Sequence, residues 1–91
     1  MYEIVFWKRF VRALKKIEPN AQREIVEAIE RLADNPYDDR DVKPLAGTKE
    51  PYYRLRISRW RVIYLIIRDD KVIEVVDVFM KKSEADYRKR L

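Results

Sequence analysis

The densest group of chemically capable side chains is a run of arginines in the second half of the sequence. Four guanidinium groups fall within eight residues and alternate with aromatic rings: Arg54, Arg56, Arg59 and Arg61, with Tyr52, Tyr53, Trp60 and Tyr64. Arginine binds phosphate through a planar pair of N–H donors, and guanidinium planes and aromatic rings both stack on nucleobases. This mixture predicts a surface that binds single-stranded RNA.

An ordinary solvent-facing sheet surface is the alternative, with Arg54 and Arg56 paired to nearby glutamates. The segment from Lys49 to Arg68 holds a single acidic residue, Glu50, so neutralisation would have to come from elsewhere in the chain. Such a face repels itself unless an anion occupies it. The charge distribution therefore favours a polyanionic ligand over a merely solvated surface.

Basic residues return near the C-terminus, where Lys81 and Lys82 follow the last predicted strand. If that strand lies beside the arginine-rich strands, Lys81 can reach the same face as Arg61. Tyr87 follows on a predicted terminal helix, where a tyrosine taken alone is more often a packing residue. The cations at positions 88–90 are explained by the favourable interaction of positive charge with a helix C-terminus.

Two residue types are missing, and their absence limits the chemistry. The chain contains no histidine and no cysteine. Nucleophiles activated by histidine, metal sites built from histidine or thiolate, RNA cleavage by paired histidines, and disulfides are therefore excluded. Any reaction must use carboxylates, tyrosine, lysine or arginine, and we expect no cofactor and no metal.

Length and charge describe a small basic protein. The 91 residues suffice for one domain over positions 1–91, and the net charge of +5 attracts polyanions, although it also serves solubility. The N-terminal apolar run stops at Lys8, too early for a signal peptide or a membrane span. We therefore expect a soluble, cytoplasmic protein.

The hydrophobic pattern predicts the elements that must position the arginines. We expect a strand at 2–6, helices at 7–17 and from 19 until Asn35-Pro36, a loop at 37–51, two strands within 52–67 joined by a tight turn near Ser58-Arg59, a strand at 72–79, and a helix at 83–90. This order is α+β: an N-terminal strand, an antiparallel helix hairpin, a three-stranded antiparallel meander and a short C-terminal helix. The helices cover one sheet face, which leaves the other, wholly or partly, for function.

These residues resemble the RelE/ParE superfamily of toxins from toxin–antitoxin systems over nearly the whole chain. The resemblance rests on Leu45-x-Gly47, Tyr53-Arg54-Leu55-Arg56, Trp60-Arg61-Val62-Ile63-Tyr64, and a valine-rich strand that ends in basic residues with Tyr87 beyond. It implies a RelE-like toxin, a ribosome-dependent messenger-RNA endonuclease that inhibits translation and is neutralised by a partner antitoxin.

The resemblance also implies roles for individual residues. Arg54 and Arg56 match the basic pair that binds and activates the message, and Arg61 matches an arginine on the scissile phosphate. Lys81 matches a basic residue that stabilises charge or protonates the leaving group, and Tyr87 matches a tyrosine that stacks on a base or acts as general base. Arg59 and Lys82 are further expected RNA ligands.

The sequence departs from the family at Phe79-Met80-Lys81-Lys82, where such enzymes commonly carry arginine. Lysine lacks the two-pronged donor set of arginine, so either the rate is lower or Lys82 shares the role. The basic pair is arginine here, and arginine is a poor general base. Tyr87, whose hydroxyl ionises more easily beside cations, is the expected base, with the RNA 2′-OH as nucleophile and a 2′,3′-cyclic phosphate as product.

Two other functions stay open. A ParE-like protein would poison DNA gyrase by binding, without nuclease activity, but such chains typically lack the full set of basic residues and the terminal tyrosine. A small RNA-binding module without toxicity is the second alternative. Under the toxin reading the expected partners are a cognate antitoxin, the ribosome and mRNA, with no membrane and no small-molecule cofactor.

Overall fold

The computed structural model of the chain describes residues 1–37, 40–47 and 50–82. In this part of the chain the elements are, in order, β1 (Glu3–Phe6), α1 (Lys8–Lys15), α2 (Pro19–Leu32), β2 (Val42–Pro44), β3 (Tyr52–Ile57), β4 (Trp60–Ile67) and β5 (Val72–Met80). The α+β class is thereby confirmed. The predicted helix at 83–90, which carries Tyr87, lies outside the described residues.

Capping residues and a short connection define where α2 begins. Glu18 caps α2, because its carboxylate accepts hydrogen bonds from the backbone N–H groups of Ala21 at 2.6 Å and Asn20 at 3.2 Å. Pro19 occupies the first turn, where its missing N–H costs nothing. Only residues 16–18 join α1 to α2, so both helices stay close to the sheet.

The five strands form one mixed sheet in the order β1-β5-β4-β3-β2. The strands β2 to β5 pair antiparallel with one another in chain order, and β3 to β5 are the predicted three-stranded meander. The first strand instead pairs parallel with β5, with Glu3 opposite Val72 and Phe6 opposite Val75. The N-terminal strand therefore lies at one edge of the sheet and β2 at the other.

The prediction of a continuous loop over 37–51 is wrong, because residues Val42–Pro44 form a fifth strand. Its three residues pair with β3, with Val42 opposite Leu55 and Pro44 opposite Tyr53. Only Val42 is buried, so the segment carries no alternation that would reveal a strand. Pro44 is tolerated because β2 is an edge strand, where one side needs no backbone donor.

The main core lies between the helices and one face of the sheet. Its most deeply buried members are Phe10, Ile25 and Ile29 from the helices, with Val62, Tyr64, Ile73 and Val75 from the strands. Tyr64 is fully buried, and its hydroxyl donates a 2.7 Å hydrogen bond to the carbonyl oxygen of Pro36. That bond ties the segment after α2 to the central strand.

The opposite face is only partly available for function. A second apolar cluster of Ile63, Leu65, Val76 and Phe79 is buried there. Beside it, Arg9 donates a 3.0 Å hydrogen bond and ion pair to the carboxylate of Asp77, a residue 1% exposed. The open part of this face is therefore confined to the end that carries the β3–β4 hairpin.

Candidate nucleic-acid interface

Strand register brings three of the predicted arginines onto one face. Arg56 lies directly opposite Arg61 in the β3–β4 ladder, and Arg54 lies opposite Ile63. Residues paired across a ladder point to the same side of the sheet, here the side away from the helices. We call Arg56 and Arg61 the opposed arginines. Their Cβ atoms stand about 5 Å apart, and like charges so placed destabilise the pairing unless an anion lies between them.

Asp41, in the turn before β2, holds both arginines of β3. Its backbone carbonyl oxygen accepts a 3.1 Å hydrogen bond from Arg54 Nη1. Its carboxylate oxygen Oδ1 accepts from Arg56 Nε at 3.3 Å and Nη2 at 3.1 Å. The neutralising acid is thus an aspartate from outside the 49–68 segment, not one of the glutamates considered for that role.

The Asp41–Arg56 ion pair is open to solvent. The two side chains are 43% and 49% exposed, respectively. Ion pairs of this kind contribute about 0 to 1 kcal/mol, because water screens the charges and two flexible side chains must be ordered. A phosphate group, which carries more acceptors than one carboxylate oxygen, can therefore displace Asp41 from Arg56 at little cost.

Arg61 is folded back against the hairpin turn. Its Nη1 donates hydrogen bonds of 2.9 Å to the carbonyl oxygens of Ser58 and Trp60. Its Nε is buried without an acceptor, and among the described residues no carboxylate forms an ion pair with it. A buried donor without a partner costs about 1 to 3 kcal/mol in stability, so a rearrangement that gives Arg61 Nε an acceptor recovers that free energy.

The turn itself is strained at one residue. Ser58 has a φ of 56°, a conformation that favours glycine and that occurs at the first central position of two-residue hairpin loops. The second turn residue, Arg59, is exposed and places its guanidinium carbon 5.6 Å from the centre of the Trp60 ring. Arg59 therefore belongs to the turn and is not part of the ladder that holds the opposed arginines.

Lys81 lies beside this end of the sheet. Its backbone N–H donates a 3.3 Å hydrogen bond to the carbonyl oxygen of Arg59, so it continues the β4–β5 pairing. Phe79 is opposite Arg61, and the alternation of a strand returns Lys81 to that side two residues later. Lys82 is exposed next to it. Tyr87 lies outside the described residues, so its role stays a prediction.

A cleft of about 600 Å³ opens between α2 and β3. Its lining includes the opposed arginines and Asp41, together with Glu24 and Arg31 of α2. We call it the α2/β3 cleft. The sequence analysis missed it, since Arg31 is one charge on a polar helix face and Asp41 belongs to a segment read as loop. The seven-residue spacing of Glu24 and Arg31, two helical turns, was the available signal.

Across residues 1–37, 40–47 and 50–82, no group of three carboxylates lies close enough together to hold a metal ion. In the same ranges no helix has the length and apolar character to cross a membrane.

Comparison with known proteins places these features in context. The family described as "ParE toxin of type II toxin-antitoxin system, parDE" matches residues 4–84. A Methanocaldococcus jannaschii protein described as "Putative toxin RelE1" is 35% identical over 74 residues, which span 79% of this chain and 81% of that protein.

Solved structures agree with the sequence matches. RelE from the Pyrococcus horikoshii RelE–RelB complex superposes with a TM-score of 0.76 at 30% identity, over 87% of this chain and 93% of that one. The Mycobacterium tuberculosis toxin–antitoxin complex RelBE2 contains a chain that superposes with a TM-score of 0.77 at 25% identity, over 88% of this chain and 98% of that one. The fold seen here is thus the fold of those chains.

Proposed function

This chain belongs to the RelE/ParE superfamily, as a RelE-like toxin of a type II toxin–antitoxin system, and we propose that it cleaves messenger RNA on the ribosome without a metal ion. The observation that carries the proposal is the placement of Arg61 directly opposite Arg56 with a buried Nε that has no acceptor. Two cations held side by side at a partly open sheet end suit a phosphodiester.

RNA cleavage asks little covalent chemistry of the protein. The 2′-oxygen of the substrate forms a new bond to phosphorus while the bond from phosphorus to the 5′-oxygen breaks. The protein must align the groups, offset the extra negative charge and move two protons. The products are a 2′,3′-cyclic phosphate and a 5′-hydroxyl end. DNA, which has no 2′-OH, is not cleaved.

Each predicted residue has a task in this reaction. Arg61 leaves the Ser58 and Trp60 carbonyls to contact the scissile phosphate, and Arg56 exchanges Asp41 for the same anion. Arg54, Arg59 and Lys82 bind the flanking backbone. The Lys81 ammonium group gives a proton to the 5′-oxygen, and Tyr87 accepts the proton from the 2′-OH. Lysine at position 81 is a point charge, so it suits proton donation better than two-pronged binding.

An antitoxin is the proposed protein partner. The structures of P. horikoshii and M. tuberculosis relatives are toxin–antitoxin complexes, and the basic end of this sheet suits an acidic or amphipathic segment. Co-expression of the neighbouring antitoxin gene should restore the growth of cells that make this protein. Harmless expression without any partner would contradict a toxic activity.

Binding of DNA gyrase without catalysis is a second candidate, because the matching family description is that of ParE. The relative that is 35% identical is described as "Putative toxin RelE1", and the placement of the opposed arginines suits a phosphate. These two observations favour the nuclease.

A translation reaction distinguishes the two candidates. Purified protein should cut messages at positions set by the codon, as mapped by primer extension. Arg61→Ala should slow cutting by about 100-fold, a typical cost of removing one donor to developing negative charge. Arg23→Ala is the matched control, since Arg23 lies on α2 and its guanidinium bonds only the nearby Asn20 side chain among the described contacts. Intact message together with inhibited gyrase supercoiling would replace the nuclease by the gyrase poison.

A further inference from the structure

The α2/β3 cleft has an apolar floor. Ala28 and Leu32 of α2 and Leu55 and Ile57 of β3 line it, and each is no more than 7% exposed, so polar groups supply most of the accessible lining. A volume of about 600 Å³ lies within the range of sites that take small molecules. Apolar side chains beneath a polar lining suit a nucleoside, which has a flat ring with hydrogen-bonding edges, better than a bare phosphate, which needs donors on every side.

The rim of the cleft is charged on both sides. Arg31 projects from α2, and the described contacts give its guanidinium no hydrogen bond and no ion pair. Arg56 and Arg61 also line the cleft, at the β3–β4 hairpin end, although their Cβ atoms lie on the sheet face away from the helices, and they belong to the proposed cleavage site as well. A phosphate on the opposed arginines is therefore adjacent to the cleft, and the nucleoside attached to that phosphate is the nearest candidate to enter it.

A site for an anion alone does not explain why Glu24, which is negatively charged, lines this cleft. Its carboxylate lines the same cleft and has no hydrogen-bond or ion-pair partner among the described residues. A carboxylate accepts hydrogen bonds from the N–H groups of a base, and guanine presents two adjacent N–H groups on its Watson–Crick edge. Uracil carries no amino group, so it offers Glu24 one donor at most.

We propose that the α2/β3 cleft binds the nucleoside on the 5′ side of the cut, that Glu24 selects guanine there, and that Arg31 binds the 5′-phosphate of that nucleotide. This inference rests on the proposed function, and it names the base preference of the same site. The 3′-phosphate of the bound nucleotide is the scissile one, held by Arg56 and Arg61. Sequence preference then comes from a helix outside the arginine-rich strands.

Nucleotide titrations of the whole protein, followed by the backbone amide signals of Ala28, Leu32 and Ile57 in nuclear magnetic resonance spectra, test the floor. Guanosine 3′-monophosphate should shift all three signals, and inorganic phosphate should leave them in place. Shifts confined to β4 would overturn the inference, and so would equal shifts with inorganic phosphate, because the cleft would then bind no base.

Two matched pairs of variants test the rim. Guanosine 3′-monophosphate should bind at least about fivefold more tightly than uridine 3′-monophosphate, the low end of discrimination by a two-pronged base contact. Glu24→Gln should abolish that difference, whereas Glu27→Gln, an equally exposed residue of α2 outside the cleft lining, should preserve it. Guanosine 3′,5′-bisphosphate should bind more tightly than the monophosphate, and Arg31→Ala but not Arg23→Ala should remove this gain.

The outcomes separate this inference from the proposed nuclease. Equal binding of the guanosine and uridine nucleotides, while Arg61→Ala still abolishes message cutting, would sink the cleft assignment and leave the nuclease standing. Loss of antitoxin binding in Glu24→Gln and Arg31→Ala, with no nucleotide binding to the unmodified chain, would assign the cleft to the protein partner and overturn the inference. If the unmodified protein cut no message, the proposed nuclease function itself would be contradicted.

Discussion

Two arginine–aspartate ion pairs lie on the same sheet face and differ in what surrounds them. Between Arg9 and Asp77 the distance is 3.0 Å, and the aspartate side chain is 2% exposed. Between Arg56 and Asp41 the distance is 3.1 Å, and the two side chains are 49% and 43% exposed. Distance is therefore no guide to strength here. Burial makes the first pair part of the fold, and exposure leaves the second replaceable by a ligand.

The buried pair should be the costlier one to break. Arg9→Ala removes the guanidinium that faces Asp77, and this carboxylate is too deeply buried for water to replace the cation. We expect a loss of about 3 kcal/mol in the free energy of unfolding, at the low end for a broken buried pair, because Arg9 is itself partly exposed. Urea denaturation measures it.

An Arg12→Ala variant is the matched control, since Arg12 is exposed on the same helix. Equal stability of the two variants would show that the Arg9–Asp77 pair is as weak as a surface pair.

Removing one of the opposed arginines should not destabilise the protein, in contrast to breaking the buried pair. Arg61→Leu removes a buried donor without an acceptor and one of two facing like charges, at the cost of two hydrogen bonds to backbone carbonyls. We expect stability to stay within about 1 kcal/mol of the parent or to rise, while message cutting is lost. Denaturation curves measured beside the cleavage assay check both halves. A stability loss above about 2 kcal/mol would make Arg61 a structural residue.

The exposed pair should show the smallest effect on folding. Asp41→Asn keeps the shape of the side chain and the backbone acceptor for Arg54 but removes the charge that competes for Arg56. Stability should change by less than about 1 kcal/mol, and affinity for a guanosine nucleotide should rise about threefold. Thermal melts and the same titrations measure these values. Weaker nucleotide binding would mean that Asp41 positions Arg56 for the ligand.

The strands that hold the site were predictable because their pattern is local. Alternation from Tyr52 to Ile67, broken near Ser58-Arg59, predicted the hairpin, and the two-residue period of a strand puts Arg54 and Arg56 on one face. Because the turn between the two strands has two residues, Arg56 lies opposite Arg61 in the ladder. Side-chain periodicity and turn length thus carried most of the candidate site.

Features that depend on distant parts of the chain were not predictable. The three residues of β2 form a strand only because β3 offers an edge, and nothing in Val42–Pro44 alone indicates it. The parallel pairing of β1 with β5 likewise depends on the tertiary fold. Asp41 reaches Arg56 across 15 positions, and Arg31 lines the cleft from a helix, so neither placement leaves a periodic trace in the sequence.

The parallel pairing of β1 with β5 also sets the point during synthesis at which the sheet can be completed. Glu3 and Val72 are neighbours in space, so the sheet is complete only after nearly all of the described chain has been synthesised. Contacts of such large sequence separation form slowly, since a long loop must close before they contribute any energy. A translating ribosome therefore releases β5 before the nascent chain can assemble a finished sheet. The molecule that we propose attacks translation therefore cannot complete its sheet until a ribosome has released β5.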